Sequence, residues 1–211
     1  MYTVYIPEPN FQTKSISIMS YFYTHQYNIL PLDLCAALRT YFDESPSSAH
    51  LGMRQEGENM HLPSMRLDIT DKRAKKITKL PLRTLVHEAV TASGVLKQFF
   101  SPNTYRFKRF TVRRYSKADR DGCDWHVDGS DLAVVIFCGG TCVDSESGGD
   151  LVMGEGETPD RILKRVDQTE GSMAVFQGCE ISHMVTPVTK GTRYTVVLFL
   201  NVKHERKCNS K

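Results

Sequence analysis

The sequence predicts a mainly β fold with flanking helices. Short segments with strand character fill the second half of the chain, and glycine-rich or charged turns separate them, which is typical of a sandwich or barrel. Helical patterns are confined to the first hundred residues, which favours helices packed on one face of a β core. The 211 residues suffice for one sizeable hydrophobic core with a helical extension.

Two segments of the first hundred residues predict helices. Residues 31–42 place apolar side chains at three- and four-residue spacing after a proline. Residues 81–100 show the same pattern, with Gly94 as a weak point. Residues 45–59 are polar and predict a loop, whereas residues 67–80, which carry a basic cluster, predict a strand end or a short helix.

The strand predictions begin at residue 105. Residues 105–115 alternate aromatic or apolar side chains with basic ones. Further short strands are predicted at 132–138, 150–153, 161–166, 172–177, 182–188 and 193–202. The chain therefore divides into an N-terminal helical and mixed extension over residues 1–100, a β core over 101–203 and a polar tail over 204–211.

The composition of the chain limits the classes of binding partner and the cellular compartment that we expect. The formal net charge is only +3, so overall electrostatics does not favour a nucleic-acid or membrane partner. The longest apolar run, residues 132–138, is too short to cross a bilayer. The six cysteines form no CxxC pair, and the amino terminus lacks the pattern of a signal peptide. We expect free thiols and an intracellular protein, cytoplasmic or nuclear, whose oligomeric state the sequence leaves open.

The chemistry centres on His126 and Asp128. On a strand, residues two apart point to the same face, so an imidazole and a carboxylate would converge on one point. A second imidazole opposite them would complete a site of two histidines and one carboxylate, which suits non-haem Fe(II). The triplet alone is weak evidence, because a surface histidine explains it equally well.

The segment from His183 to Arg193 strengthens this hypothesis. It reads as a strand, a tight turn with Gly191 and a second strand, which predicts a β-hairpin that returns Arg193 to the neighbourhood of His183. Arg193 and Thr195 share a face, and a guanidinium beside a hydroxyl is a fitting receptor for a carboxylate. The alternative for Arg193 is a structural salt bridge.

These residues resemble the Fe(II)/2-oxoglutarate-dependent oxygenase superfamily. His126-x-Asp128 is followed by His183 57 residues later and by Arg193 ten residues after that. The motifs at residues 148–151, 171–176 and 183–194 resemble those of the prolyl 4-hydroxylase-like branch, and they occur in the same order. The resemblance covers roughly residues 107–202.

The resemblance implies a double-stranded β-helix of the jelly-roll or cupin-like type, with a metal at its mouth. It implies that His126, Asp128 and His183 are the catalytic metal ligands and that Arg193, with Thr195, binds 2-oxoglutarate. Tyr115 matches a tyrosine that contacts the co-substrate in this branch, although it also fits as plain core. Fe(II), 2-oxoglutarate and O2 are the implied cofactors, with ascorbate as a reductant, and succinate and CO2 are the implied products.

Three functions stay open at this point. The first is hydroxylation of a C–H bond in a protein or peptide side chain such as proline. The second is oxidation of a nucleic-acid base, which the basic residues of 72–76 and 106–117 favour unless they form an ordinary solvated face. The third is a non-catalytic metal-binding β-helix module, which the intact ligand set disfavours.

Overall fold

A computed structural model describes residues 14–18, 21–46, 51–52, 65–99, 105–117, 122–141, 146–154 and 162–202. The predicted polar tail, residues 204–211, lies outside these ranges. No helix in the described ranges is long and apolar enough to span a membrane.

Antiparallel strands are the most common element in the described ranges. In chain order they are β1 (Lys14–Ile18), β2 (Tyr21–Gln26), β3 (Leu51–Gly52), β4 (Met65–Asp68), β5 (Tyr105–Ser116), β6 (Cys123–His126), β7 (Leu132–Gly140), β8 (Leu151–Gly154), β9 (Ile162–Arg165), β10 (Met173–Gln177), β11 (Ser182–Val185) and β12 (Thr192–Val202). Within the described ranges, eight of them form a main sheet in the order β1-β2-β10-β7-β12-β5-β4-β3, and four form a smaller sheet in the order β6-β11-β8-β9.

The two faces of the main sheet pack against different parts of the protein. On β5, Phe110 and Val112 belong to the apolar cluster that also contains the helices. Tyr115, on the other face, belongs to a second cluster that contains Leu151 and Val185 of the smaller sheet. Successive side chains of a strand point to opposite faces, so one sheet supports the helices and also encloses the space between the sheets.

The helices are α1 (Leu32–Asp43), α2 (Asp71–Ile77) and α3 (Leu82–Ala92), followed by a 3-10 turn, Val95–Gln98. Leu38, Tyr41 and Phe42 of α1 are fully buried in the first cluster, as are Leu82 and Val86 of α3. This arrangement confirms the predicted β core with N-terminal helices packed on one sheet.

Most predicted elements are present, and the differences have local causes. The helix predicted over residues 81–100 ends at Ala92, because Gly94 adopts a left-handed conformation with φ +70° and a 3-10 turn follows. Residues 67–80 contain both of the predicted alternatives, the end of β4 and the helix α2. The segment read as a loop contains the two-residue strand β3.

Strands β1 and β2 were not predicted, and they extend the main sheet from its β10 edge. The first hundred residues therefore contribute strands β1 to β4 as well as helices. The boundary near residue 101 between an extension and a core stays a prediction.

The β-hairpin predicted over residues 182–202 is wrong. β11 pairs with β6 and β8 in the smaller sheet, whereas β12 pairs with β5 and β7 in the main sheet. The turn with Gly191, whose φ is +80°, therefore carries the chain from one sheet to the other. A turn between sheets uses the same glycine signal as a hairpin turn, so the sequence pattern alone does not separate the two.

Candidate metal and co-substrate site

His126, Asp128 and His183 come together between the sheets. One ligand atom from each lies within 4.8 Å of the others. The Nε2 atoms of His126 and His183 lie 3.7 Å and 3.5 Å from the two carboxylate oxygens of Asp128. Two imidazole nitrogens and one carboxylate oxygen on a common point form the donor set that suits a non-haem Fe(II) ion.

Backbone carbonyl groups orient both imidazoles. His126 Nδ1 lies 2.7 Å from the carbonyl oxygen of Asp124, and His183 Nδ1 lies 3.0 Å from that of Ile181. A carbonyl only accepts hydrogen bonds, so each Nδ1 carries the proton and each Nε2 presents its lone pair to the shared point.

His183 is held in its neutral form. The pKa of His183 is lowered to about 4, mainly by burial; Asp128 opposes this shift, and His126 contributes to it. The ring also packs edge-on against Phe176, with ring centroids 4.8 Å apart. Neutral imidazole is the form that binds a metal, so His183 needs no deprotonation at pH 7.

Asp128 does not share a strand with His126, contrary to the prediction. β6 ends at His126, and Asp128 lies in the irregular segment that follows. Its backbone N–H donates to the carbonyl oxygen of Gly178 at 2.7 Å, and Gly178 N–H donates to the carbonyl oxygen of Asp131 at 3.1 Å. The turn between β10 and β11 therefore sets the position of the carboxylate.

Position 178 has no room for a side chain. A Cβ atom at this position would lie 2.9 Å from the carbonyl oxygen of Ser130 and 3.0 Å from Cβ of Asp128. Any larger residue would push the Asp128 segment away from the two histidines.

A cavity that opens to solvent extends from these three residues between the sheets, with an empty volume of about 370 Å³ that includes solvent at its mouth. Tyr115, Arg193 and Thr195, the three residues predicted to bind the co-substrate, line it. Arg193 pairs in register with Tyr115 on adjacent strands, and its guanidinium carbon lies 5.0 Å from the centre of the Tyr115 ring. The remaining lining is mostly apolar, with Val135, Leu151, Val185, Val197 and Phe199.

Two observations show that the inner end of the cavity suits a carboxylate. Arg193 is only 6% exposed, which places a permanent positive charge in a poorly hydrated environment. The hydroxyl oxygen of Thr195 is buried with no hydrogen-bond partner among the described residues. A carboxylate at this end would neutralise the charge and accept the hydroxyl hydrogen.

Gln168 orients Arg193 and was not identified from the sequence. Its side-chain oxygen accepts a hydrogen bond from Arg193 Nε at 2.6 Å, and its amide group lies 3.4 Å from Asp150. Asp150 in turn pairs with Arg165 of β9. Nothing in the local sequence marks Gln168, because its role depends on the approach of two chain segments 25 residues apart.

Arg113 belongs to the basic stretch 106–117 noted in the sequence but was not predicted to line the site. It is 8% exposed and lines the cavity two residues before Tyr115 on β5. The alternation of β5 predicts that Arg113 and Tyr115 share a face, but not that this face is the inner one.

The other described histidines lie away from the site. His25 is buried on β2 beside Ser172, with its Nε2 atom 3.3 Å from the serine oxygen. His87 is exposed on α3 and contacts the Phe107 ring. His50, His61 and His204 lie outside the described residues.

The comparisons with known proteins agree with this geometry. Residues 110–201 match the family model described as the 2OG-Fe(II) oxygenase superfamily. No curated protein matches the sequence.

Solved structures share the fold at low sequence identity. A Trichoplax adhaerens prolyl hydroxylase, in complex with a peptide fragment of the oxygen degradation domain of hypoxia inducible factor, aligns with a TM-score of 0.64 and 15% identity, over 90% of this chain and 87% of that one. A Pseudomonas putida prolyl-4-hydroxylase gives the same TM-score and identity over 88% and 95%. HygX from Streptomyces hygroscopicus, solved with nickel and 2-oxoglutarate bound, gives 0.58 and 8% over 85% and 82%. The predicted double-stranded β-helix is thereby confirmed.

Proposed function

We propose that this chain is an Fe(II)/2-oxoglutarate-dependent oxygenase of the prolyl hydroxylase-like branch, which the family match over residues 110–201 and the structural neighbours support, and that it hydroxylates a C–H bond of a protein side chain such as proline. The observation that carries the proposal is the convergence of His126, Asp128 and His183 at one end of a cavity whose other end contains Arg193.

The donor set and the cavity fit the cofactors of the family. His126, Asp128 and His183 would hold Fe(II) through two neutral nitrogens and one carboxylate, which leaves coordination positions open. Arg193 and Thr195 would receive the distal carboxylate of 2-oxoglutarate, with Tyr115 beside the guanidinium. When bound, iron and 2-oxoglutarate supply the activation of O2 and the oxidising power, with succinate and CO2 as products.

The residues of the chain contribute orientation and a dry pocket. The carbonyl groups of Asp124 and Ile181 keep both Nε2 atoms unprotonated and aimed at the metal position. Gln168 holds the Arg193 guanidinium in place, so the co-substrate would bind to a preformed receptor. Apolar side chains on both sheets, such as Val135 and Leu151, exclude water around the reacting atoms.

A protein substrate has support from one neighbour. The Trichoplax adhaerens prolyl hydroxylase is in complex with a peptide, and the two chains share a fold over most of their length. This likeness does not extend to sequence at 15% identity, so the residue that is hydroxylated has to be found by experiment.

The test is an incubation of the iron-loaded protein with 2-oxoglutarate, ascorbate, O2 and a peptide library. We expect peptide-dependent formation of succinate and a mass increase of one oxygen atom in the responding peptides. The His126→Ala variant, measured alongside, should form neither product. A wild-type protein that decarboxylates no 2-oxoglutarate under any of these conditions would contradict the proposal.

A further inference from the structure

The inner face of β4 and β5 carries three arginines next to the site. Arg109 and Arg113 are four residues apart on the regular part of β5, so their side chains share a face. Arg66 of β4 is the direct register partner of Arg113, and side chains of directly paired residues lie on the same side of a sheet. Since Arg113 lines the cavity, the three arginines form a basic strip that leads to the metal position.

The three guanidinium groups are close enough to repel one another. Burial is the largest cause of a lowered pKa at Arg66, and the positive charges of Arg109 and Arg113 lower it further, with Asp68 opposing them. Gathering like charges in a partly buried place destabilises the folded chain unless an anion is present.

Arg113 has unused hydrogen-bonding capacity. Its Nε atom is buried and makes no hydrogen bond to any described residue, and the same holds for Nε of Arg66. The guanidinium of Arg113 lies over the Phe199 ring, 5.7 Å from its centre, and interacts with Tyr115 and Asp128. Burial would lower the pKa of Arg113, but these neighbours more than offset it and raise the pKa, so Arg113 stays cationic.

The carboxylate of Asp128 would be engaged by the metal ion. With the metal ion and 2-oxoglutarate bound, the charged groups around the cavity would sum to a positive net charge. Arg113, Arg193 and a divalent ion carry four positive charges, whereas Asp128 and 2-oxoglutarate carry three negative ones. One negative charge on the primary substrate would balance the site.

We propose that Arg113, with Arg66 and Arg109, binds a carboxylate group of the primary substrate, so that the hydroxylated peptide is acidic close to the oxidised C–H bond. This inference rests on the proposed function. A carboxylate is favoured over the phosphates of a nucleic acid because Asp68, which pairs with Thr111 of β5, lies on the same face of β4 as Arg66 and would repel a polyanion.

The test uses two fluorinated probes and protein loaded with Zn²⁺ and saturating 2-oxoglutarate, which occupies the Arg193 end. Binding of 4-fluorobenzoate and of 4-fluorophenyl phosphate is followed by 19F NMR, with 4-fluorophenol as the uncharged control. We expect saturable binding of the benzoate, about tenfold or more weaker binding in Arg113→Gln, and no binding of the phenol.

Arg83→Gln is the matched control. It removes the same charge on the other side of the main sheet, where Arg83 lies over the Phe110 ring, and should bind the benzoate as the wild type does. Isothermal titration calorimetry of 2-oxoglutarate should give equal affinities for the wild type and Arg113→Gln.

If the wild type binds benzoate, three results would overturn the inference. They are benzoate binding that Arg113→Gln leaves unchanged, a loss of 2-oxoglutarate affinity in that variant, and binding of the aryl phosphate at least tenfold tighter than the benzoate. A wild type that binds 2-oxoglutarate but not benzoate also counts against this inference alone, whereas a wild type that binds no 2-oxoglutarate counts against the proposed function.

Discussion

Single residues of the site are positioned mainly by the backbone of neighbouring turns. The two imidazoles use the carbonyl groups of Asp124 and Ile181, and Asp128 is tied to Gly178 through its own N–H. The geometry of the candidate metal site therefore depends on main-chain contacts, whereas Arg193, the proposed receptor of the co-substrate, is oriented by side chains, among them Gln168.

Replacing Asp128 by Asn should weaken metal binding on the order of 100-fold or more, since the variant keeps the shape but loses the only carboxylate of the donor set. Isothermal titration calorimetry with Mn²⁺ measures the change. Asp124→Asn is the control, because its exposed side chain belongs to the same segment while only its carbonyl group serves the site. Equal affinities of Asp128→Asn and wild type would exclude Asp128 as a ligand.

Replacing Gln168 by Leu should weaken 2-oxoglutarate binding about tenfold, because Arg193 loses the acceptor that orients it. Metal affinity should not change. Calorimetric titration of the zinc-loaded protein with 2-oxoglutarate gives the first affinity, and titration of the metal-free protein with Zn²⁺ gives the second. Gln98→Leu on the exposed 3-10 turn serves as the control. A variant that binds the co-substrate normally would show that Arg193 needs no support from Gln168.

The individual strands and helices were largely predictable, whereas their partners were not. The strands from β5 to β12 that were predicted have clear apolar alternation or continuous apolar runs, such as Leu132 to Cys138 of β7, which the structure buries completely. β11 and β12 were assigned to a hairpin, because local turn chemistry does not reveal to which sheet each strand belongs. Arg193 and His183 nevertheless line one cavity, since that cavity lies between the two sheets.

The residues of the candidate site that form a sequence motif were predictable. His126, Asp128, His183 and Arg193 stand in a recognisable order and spacing. Gln168 and Gly178 act through contacts with distant segments, and neither their residue types nor their neighbours in sequence mark them. This difference explains why the candidate ligands could be predicted from the sequence and these supporting residues could not.

In the β10–β11 turn, the substitution Gly178→Ala should reduce metal affinity about 10- to 100-fold, because it would displace the Asp128 segment. Gly129→Ala is a matched control next to Asp128, because a Cβ there would meet no atom within 4 Å. Metal titration and thermal unfolding of both variants separate a local effect from general destabilisation. If both variants bind the metal equally, the turn does not position Asp128.

Helix α3 begins with a cap from α2, and its stability should depend on pH. Asp71 accepts hydrogen bonds from the backbone N–H groups of Arg83 and Thr84, at 2.8 Å and 3.2 Å, and from the Thr84 hydroxyl at 2.6 Å. Burial alone would raise the pKa of Asp71, but these bonds outweigh it, and the pKa lies below its ordinary value of 3.8.

The Asp71→Ala variant should therefore lose about 1 kcal/mol of unfolding free energy at pH 7. Because the folded-state pKa is depressed, the advantage of the wild type is fully present well above pH 3.8 and shrinks as the pH falls through the lower, folded-state value. Urea unfolding of both proteins between pH 7 and pH 3 measures the difference. A gap that is independent of pH would mean that the Asp71 charge has no part in capping.

For the whole molecule, the site joins two sheets that otherwise meet through apolar side chains. His126 and His183 belong to strands of the smaller sheet, and Arg193 and Thr195 belong to the main sheet. A metal ion with 2-oxoglutarate would therefore cross-link the sheets, and ligands that bind only the folded state stabilise it.

We expect 2-oxoglutarate at 100 times its dissociation constant to stabilise the zinc-loaded protein by about 2.7 kcal/mol. It should stabilise the metal-free protein in EDTA much less, because the co-substrate would then have only its Arg193 end bound. Differential scanning calorimetry of the four combinations of metal and co-substrate provides the measurement. Equal stabilisation with and without metal would show that the co-substrate does not bridge the two ends of the cavity.

Both faces of β5 are packed, one against the helices and one against the cavity. We therefore expect this strand not to tolerate the insertion of a single residue. Phe110 and Val112 face the helices, while Arg113 and Tyr115 face the cavity. One residue inserted after Val112 would shift the rest of the strand by one position, turning Tyr115 and Arg113 outward while Arg114 turned toward the cavity. An insertion of two residues would restore the alternation, so libraries that vary the length of this strand should recover functional chains only at even numbers of added residues.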